Sequence, residues 1–570
     1  MKGDKTFSLL YPRGKEVEFK KLDDNAFHDL GLDMITKAVT NDHKEQVIVE
    51  DILSYMTSDP DVTNYRQDIF EDVKNLPDVR TKITELFEQI EFSRQFGVIK
   101  KSKDEVEGLW LLMHRLGQYR DYITCVEALK KCLSDERIKS KGLKDFKTYI
   151  DELYADAHFN ELKKDLERLS METSEIQSVT MGLNLNSRLE AVSVGIISVN
   201  NKPFKKSGIV SNFADGIGKD KIKEGNEWNG DMHYRLVEKT SAPGFMNFMA
   251  EMNRRTNPLL SSMGDSTTSS IPQGDGLSNV TAHFDVTLNK MLDVMSKNLR
   301  KTLDKYADMA LYHISDVIPE FLYYIRFAKF ITDLESKGFK FTKASAVARD
   351  DNRMSAKEFY NFKLALNLSD SKEIVGNNLD FDSDHTIYIL TGANRGGKTT
   401  STQAIGLLFA LAQGGIYVPA DSFEFAPADC IFTHFPADED KTMNLGRLGE
   451  ECIRFKEIFN DATAESLILM NETFSTTSFE EGYYIACDAI RALLTKGART
   501  IYNTHMHKLG IDAEGFSKDY RCKASSLIVE SAGGNRSFKL AVAPPEGSSY
   551  ASDIARKYGV TFEMLTGSDR

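Results

Sequence analysis

Thr386-Ile-Tyr-Ile-Leu-Thr-Gly-Ala-Asn-Arg-Gly-Gly-Lys-Thr-Thr400 decides how this chain is read. Thr386 to Leu390 is a β-branched and aliphatic run, which predicts a buried strand. Gly392 opens a glycine-rich turn, and Gly397-Lys398-Thr399 closes it. Ala404, Leu407, Leu408 and Leu411 then recur at helical spacing, so a helix is expected to follow. Gly392-x-x-x-x-Gly397-Lys398-Thr399 between a strand and a helix is the P-loop pattern. Its chemistry dictates the residue types. Glycines let successive backbone N–H groups turn toward a polyphosphate, and the helix N-terminus adds positive potential. Lys398 is suited to neutralise β- and γ-phosphates, and the Thr399 hydroxyl to ligate Mg²⁺. The expectation is a chain that binds a nucleoside triphosphate.

Downstream, short apolar runs alternate with helical patterns. Ile416-Tyr417-Val418, Cys430-Ile431-Phe432, Ser466 to Met470 and Arg499 to Tyr502 each predict a strand. The alternation points to a largely parallel sheet, with ligand chemistry at the carboxyl ends of its strands. A P-loop enzyme needs a second strand bearing a magnesium-side acid and often a general base beside it. The run 467–472 has that layout, except that Asn471 stands where an Asp is usual. Glu472 is then the candidate to polarise an attacking water. His505 follows the next strand and is placed to contact a γ-phosphate. His507 would share a strand face with His505, but no third residue with metal spacing accompanies the pair.

The chain of 570 residues suggests two to four domains. Its composition, 41% hydrophobic and 28% charged, is that of an ordinary soluble protein. No apolar run approaches the ~20 residues of a membrane helix, and the N-terminus shows no secretory signal, so a cytoplasmic protein is expected. Six scattered cysteines without a C-x-x-C spacing fit free thiols. The net charge of −13 gives no electrostatic argument for nucleic acid, though a local basic patch would suffice for it.

Residues 1 to about 175 read as helical, with periodic stripes such as Ala26, Phe27, Leu30, Met34, Ile35 and Ala38. A β-rich insertion is expected over about 176–240, with lysines from Lys202 to Lys223, and a flexible loop over about 261–278. Leu288, Leu292, Met295, Leu299, Leu303, Tyr306 and Ala310 form a coiled-coil-like seam, which Pro319 is expected to kink or end.

Residues 390–400 resemble the P-loop of the MutS proteins. Met470-Asn-Glu-Thr-Phe-Ser-Thr-Thr-Ser478 with the later Gly482 is similar to the segment that follows in that family, and Thr504-His505 matches its Thr-His pair. The resemblance is dense from Ile374 to Ile554. Asp59-Pro-Asp-Val and Tyr65-Arg66-Gln67 resemble the family's core and lever helices, and Val192 to Phe204 its entry to a clamp.

The resemblance implies a multidomain fold. An α-helical core/lever region with a small β-rich clamp-like insertion (1–335) would precede an α/β P-loop, ABC-like ATPase domain (336–570). It implies ATP and Mg²⁺, with Gly392, Ala393, Asn394, Arg395, Gly396, Gly397, Lys398, Thr399 and Thr400 around the phosphates. Asn377 would lie at the base, Thr399 and Asn471 on the metal side, and Glu472 and His505 at hydrolysis. It further implies a homodimer that engages DNA by structure rather than by sequence. The alternative is a slowly hydrolysing, nucleotide-gated scaffold for a protein or ribosomal partner. Departures accompany the match. Asn471 replaces an Asp, Leu448-Gly449 stands where the family has a trans-acting Ser-Thr pair, and neither a mismatch reader nor ample C-terminal dimerisation helices are apparent. An Asp restored at 471 is expected either to lower the Mg²⁺ requirement and raise turnover or, as the joint departure of Asn471 and Gly446 to Glu451 slightly favours, to raise the Glu472 pKa and depress activity near neutral pH.

Overall fold

The computed structural model describes residues 7–94, 109–174, 178–185, 187, 191–200, 293–306, 311–348, 352–392, 396–436, 446–532, 535–545, 556 and 558–566. The expected loop over 261–278, the lysines of 202–223 and residues Ala393, Asn394 and Arg395 lie outside the described residues.

The first half is helical: α1 (Asp24–Leu30), α2 (Leu32–Val39), α3 (His43–Ser54), α4 (Pro60–Asn75), α5 (Pro77–Arg94), α6 (Leu109–Cys132), α7 (Lys141–Ala155), α8 (Ala157–Ser174), α9 (Asp293–Asp304) and α10 (Leu311–Ser336). The stripe that begins at Ala26 divides at Gly31 into two helices. Asp59 accepts from the backbone N–H groups of Asp61 and Val62, and Pro60 occupies the first turn, so the proline starts α4. Pro319 lies inside α10 and does not end it. Short strands β1 (Lys20–Lys21) and β2 (Tyr55–Met56) pair, and β3 (Ser178–Leu185) and β4 (Ala191–Asn200) form an antiparallel hairpin, while residues 201–292 lie outside the described residues.

The second half carries β5 (Ser345–Ala346), β6 (Met354–Phe359), α11 (Phe362–Asn367), β7 (Asn377–Phe381), β8 (His385–Thr391), α12 (Lys398–Gln413), β9 (Ser422–Phe425), β10 (Ile431–His434), α13 (Arg447–Asp461), β11 (Leu467–Asn471), α14 (Phe479–Lys496), β12 (Arg499–Asn503), α15 (His507–Ile511), α16 (Ala513–Phe516), β13 (Lys523–Ala532), β14 (Asn535–Val542) and α17 (Phe562–Thr566). A six-stranded sheet runs in the order β10-β11-β12-β8-β13-β14, parallel except for β14. A smaller sheet has the order β5-β9-β6-β7.

Strands β11 and β12 are buried along their whole length, as strands covered on both faces must be. Ile387, Ile389, Ile468, Met470 and Tyr502 pack in one cluster with Ile490, Leu493 and Leu494 of α14. On the other side α12 is apolar nearly all round, and Gly406 brings its backbone against Leu30 and Leu469.

Two strand expectations change. Ile416-Tyr417-Val418 forms no strand: only Val418 pairs, with Thr342, and the Ile416 carbonyl accepts from the Gln67 side chain instead. His507 opens α15, so it shares no strand face with His505.

The described chain divides into two compact units. One comprises Met1–Glu85, Lys131–Tyr149 and Tyr312–Arg570, and the other Leu86–Lys130 and Ile150–Leu311. In the second unit Arg115 reaches Asp304 and the Leu303 carbonyl, and the Tyr306 hydroxyl donates to Asp165 at 2.7 Å. All six cysteines are free. No helix among the described residues is long and apolar enough to cross a membrane.

Candidate nucleotide site

Three neighbouring parallel strands, β11, β12 and β8, end side by side, and the loops leaving them carry the polar side chains. From β8 the chain passes Gly392, at φ +145°, and turns into α12 at Gly397, at φ +93°. That left-handed conformation suits glycine, and Gly397 gives the helix no side-chain cap. A helix start of this kind can offer first-turn N–H groups to an anion. Lys398 is buried, and its Nζ donates to the Gly392 carbonyl at 3.1 Å across the loop. Burial pulls its pKa below the ordinary lysine value, against the opposing pull of the Glu472 charge.

The Thr399 hydroxyl donates to Asn471 Oδ1 at 3.0 Å. Asn503 Nδ2 donates to the same oxygen in a short contact and lies 3.4 Å from Thr399 Oγ1. Thr399, Asn471 and Asn503 thus converge from α12, β11 and β12. The set fits a phosphate, which would meet the Lys398 ammonium and an uncapped helix N-terminus. For Mg²⁺ the protein offers Thr399 Oγ1 and Asn471 Oδ1, both neutral oxygens, so an ion there would draw its charge complement from phosphate. Among the described residues no cluster of three His, Cys, Asp or Glu could hold a metal unaided.

Glu472, directly after β11, has φ +53°, and Phe474 has φ +61°. Such non-glycine conformations cost on the order of 1–3 kcal/mol each and persist only where surrounding bonds hold them. The Glu472 N–H donates to the Asn503 carbonyl at 2.9 Å. The Glu472 carboxylate turns to His505, with Oε1 2.9 Å from Nε2 and Oε2 accepting from the His505 N–H at 3.3 Å. His505 Nδ1 lies 3.4 Å from Lys398 Nζ, which can only donate, so the ring proton belongs on Nε2, toward Glu472. The imidazole is 50% exposed. Lys398, His505 and Glu472 form one polar line along the loop ends.

The other expected positions differ in kind. Gly396 is buried, and the Thr400 carbonyl accepts from Asn361 Nδ2 at 2.8 Å. Asn377 is buried and bound to β14: its Nδ2 donates to the Phe538 carbonyl at 3.1 Å, and its Oδ1 accepts from the Leu540 N–H at 2.7 Å. Phe538, which sequence reasoning did not single out, has φ +57°, is 43% exposed, and sets its ring edge at Gly397. No local pattern marks it, because only the fold of β14 brings it to residue 397. Asn503 was legible as the polar end of a strand. His434 ends β10, and burial pushes its pKa down to about 4.

Two family descriptions match the chain: MutS domain V over residues 388–565 and the MutS2 N-terminal domain over 58–207. The chain belongs to the MutS family. The MutS domain V match spans the six-stranded sheet from β8 onward and all the loop ends described above except Asn377. Among curated relatives, Endonuclease MutS2 of Finegoldia magna is 30% identical over 240 residues, which is 41% of this chain and 30% of that protein. Endonuclease MutS2 of Thermus thermophilus is 28% identical over 193 residues, 34% of this chain and 25% of its own. DNA mismatch repair protein MutS of Chlorobium chlorochromatii is 30% identical over 200 residues, 35% and 23% of the two chains. The matched region is thus a third or less of the length of each of these relatives.

Proposed function

We propose that this MutS-family chain is an ATPase whose nucleotide cycle controls engagement of DNA, in repair or recombination. The observation that carries the reading is the convergence of Lys398, Thr399 with Asn471, and Glu472 with His505 at the carboxyl ends of adjacent parallel strands. In this reading residues 392–400 are a P-loop. Lys398 leaves the Gly392 carbonyl for the phosphates, and Thr399 and Asn471 face Mg²⁺, which screens phosphate charge when bound. Glu472 accepts a proton from the attacking water, and His505 Nε2–H orients that carboxylate. Because the Asn377 amide is bound to β14, recognition of the base would fall to backbone groups and the exposed Phe538 ring. Ala393, Asn394 and Arg395 would line the loop. Residues 336–570 act as the motor, the preceding helices act as levers, and two copies close on ATP. The relatives' names, an endonuclease and a mismatch repair protein, are consistent with DNA as the partner.

A second reading is a slow, nucleotide-gated scaffold on a protein or ribosomal partner. The neutral pair Asn471–Asn503 favours it, since neither amide brings the charge that a dication prefers. ATP turnover, with binding to duplex DNA, branched DNA and RNA over a salt series, tests both. Turnover with a steep salt slope on branched DNA is the expected result. Tight ATP binding with no nucleic-acid affinity at low salt would favour the scaffold.

A further inference from the structure

We infer that His434 is a positioning residue which, through Thr473, holds Glu472 in its working conformation. The inference rests on the ATPase reading above and extends it to a residue of the neighbouring strand.

His434 lies at the carboxyl end of β10, is buried, and uses both ring nitrogens. Nε2 sits 3.0 Å from the Glu451 backbone carbonyl, which can only accept, so Nε2 carries the proton. Nδ1 is then the acceptor, 3.1 Å from Thr473 Oγ1, and that hydroxyl also lies 3.3 Å from the His434 carbonyl. Thr473 stands between two strained residues, Glu472 at φ +53° and Phe474 at φ +61°. Its own carbonyl accepts from the buried Tyr502 hydroxyl at 3.1 Å. A short loop in left-handed conformation relaxes unless something holds it, and beside the contacts of Glu472 with Asn503 and His505 the side chain and the carbonyl of Thr473 hold it here. The same imidazole ties α13 to this loop through Glu451, whose carboxyl burial raises in pKa. His434 touches neither Lys398 nor Thr399 by any hydrogen bond described, so its removal should leave nucleotide binding alone.

His434→Ala should lower kcat on the order of 10- to 100-fold, the scale of a misplaced catalytic group, with ATP affinity unchanged. Asparagine carries an acceptor near the Nδ1 position, so His434→Asn should restore much of kcat. Glutamine reaches the Nε2 position, keeps the Glu451 link and loses the Thr473 link, so His434→Gln should stay slow. Thr473→Val, which removes only the hydroxyl, should match His434→Ala and serves if the alanine variant folds poorly. Amide exchange across residues 472–474 should quicken in the slow variants whether or not ATP is hydrolysed. A wild-type protein that binds ATP without turnover would defeat the hydrolysis reading while this exchange arm still reports on His434. Wild-type kcat in His434→Ala, no advantage of asparagine over alanine, or unchanged exchange would overturn the inference.

Discussion

Helix α12 has two polar ends, and they are built for opposite purposes. At its start, Gly397 provides no side-chain cap, and Lys398 is buried, with its Nζ on the Gly392 carbonyl and its pKa held down by burial. At its end, the donors are supplied by the protein itself. Arg66 Nη1 donates to the Gln413 carbonyl at 2.8 Å and its Nε to the Leu10 carbonyl at 2.7 Å. Gln67 Nε2 serves the Ala412 and Ile416 carbonyls, and the Tyr323 hydroxyl serves Gly414 at 2.9 Å. Gly415, at φ +85°, allows Arg66 to approach where a Cβ would meet its side chain at 2.5 Å. A cation at a helix C-terminus also suits the helix dipole. Buried polar groups that satisfy one another stabilise a fold. A buried cation whose pKa desolvation holds down costs stability, and a bound anion offsets that cost.

That contrast is most easily broken at Arg66. Arg66→Ala leaves buried carbonyls without donors and opens a cavity, so it should destabilise the protein by roughly 3–5 kcal/mol. Denaturant unfolding checks this, and a loss no larger than that of a surface substitution would erase the distinction between the two ends. Lys398→Met is the matching change at the other end. It should abolish tight ATP binding, yet the ligand-free protein should unfold at the same or a higher temperature, since a desolvated charge is gone. The sign of its pH dependence follows from the lowered pKa. As pH rises toward the ordinary lysine value of 10.5, the folded protein releases the Lys398 proton before the unfolded chain does. The wild type should therefore gain stability relative to Lys398→Met over that interval. Calorimetry with and without ATP reads both effects.

Glu472→Gln sharpens the comparison by changing chemistry without changing the fold. It should keep ATP binding and slow turnover by a factor of ~10², and single-turnover kinetics would expose any other residue positioning the water. The smallest effect is expected for Asn471→Asp. The hydrogen bonds at Asn471 favour the other outcome, a gain of function. Asn471 Oδ1 already accepts from Thr399 and Asn503, so a carboxylate there meets two donors, while the Glu472 carboxylate turns away to His505. A lower Mg²⁺ requirement with turnover raised a few-fold at neutral pH is expected. A Mg²⁺ titration at two pH values decides it, with lost neutral-pH activity refuting the geometric argument.

The sequence by itself determined the strands and the turn at which the candidate site lies. Strands β8, β11 and β12 were legible because each is a compact apolar run between breakers, and the glycine-lysine-threonine turn has few other uses. Glu472 and His505 could be named because residues that follow such strands share one edge of a parallel sheet. Ile416-Tyr417-Val418 has the composition of a strand, but its Ile416 carbonyl is taken by Gln67 and only Val418 finds a strand-like partner. Pro319 does not end its helix, because α10 runs through it. Only the tertiary structure decided that Arg66 and Gln67 cap α12, that Asn503 joins Asn471 and Thr399, that Phe538 edges Gly397, and that His434 reaches Thr473. The reason is physical: periodicity and turn chemistry act over neighbouring residues, whereas a hydrogen bond between positions 66 and 413 exists only once the core has fixed both backbones.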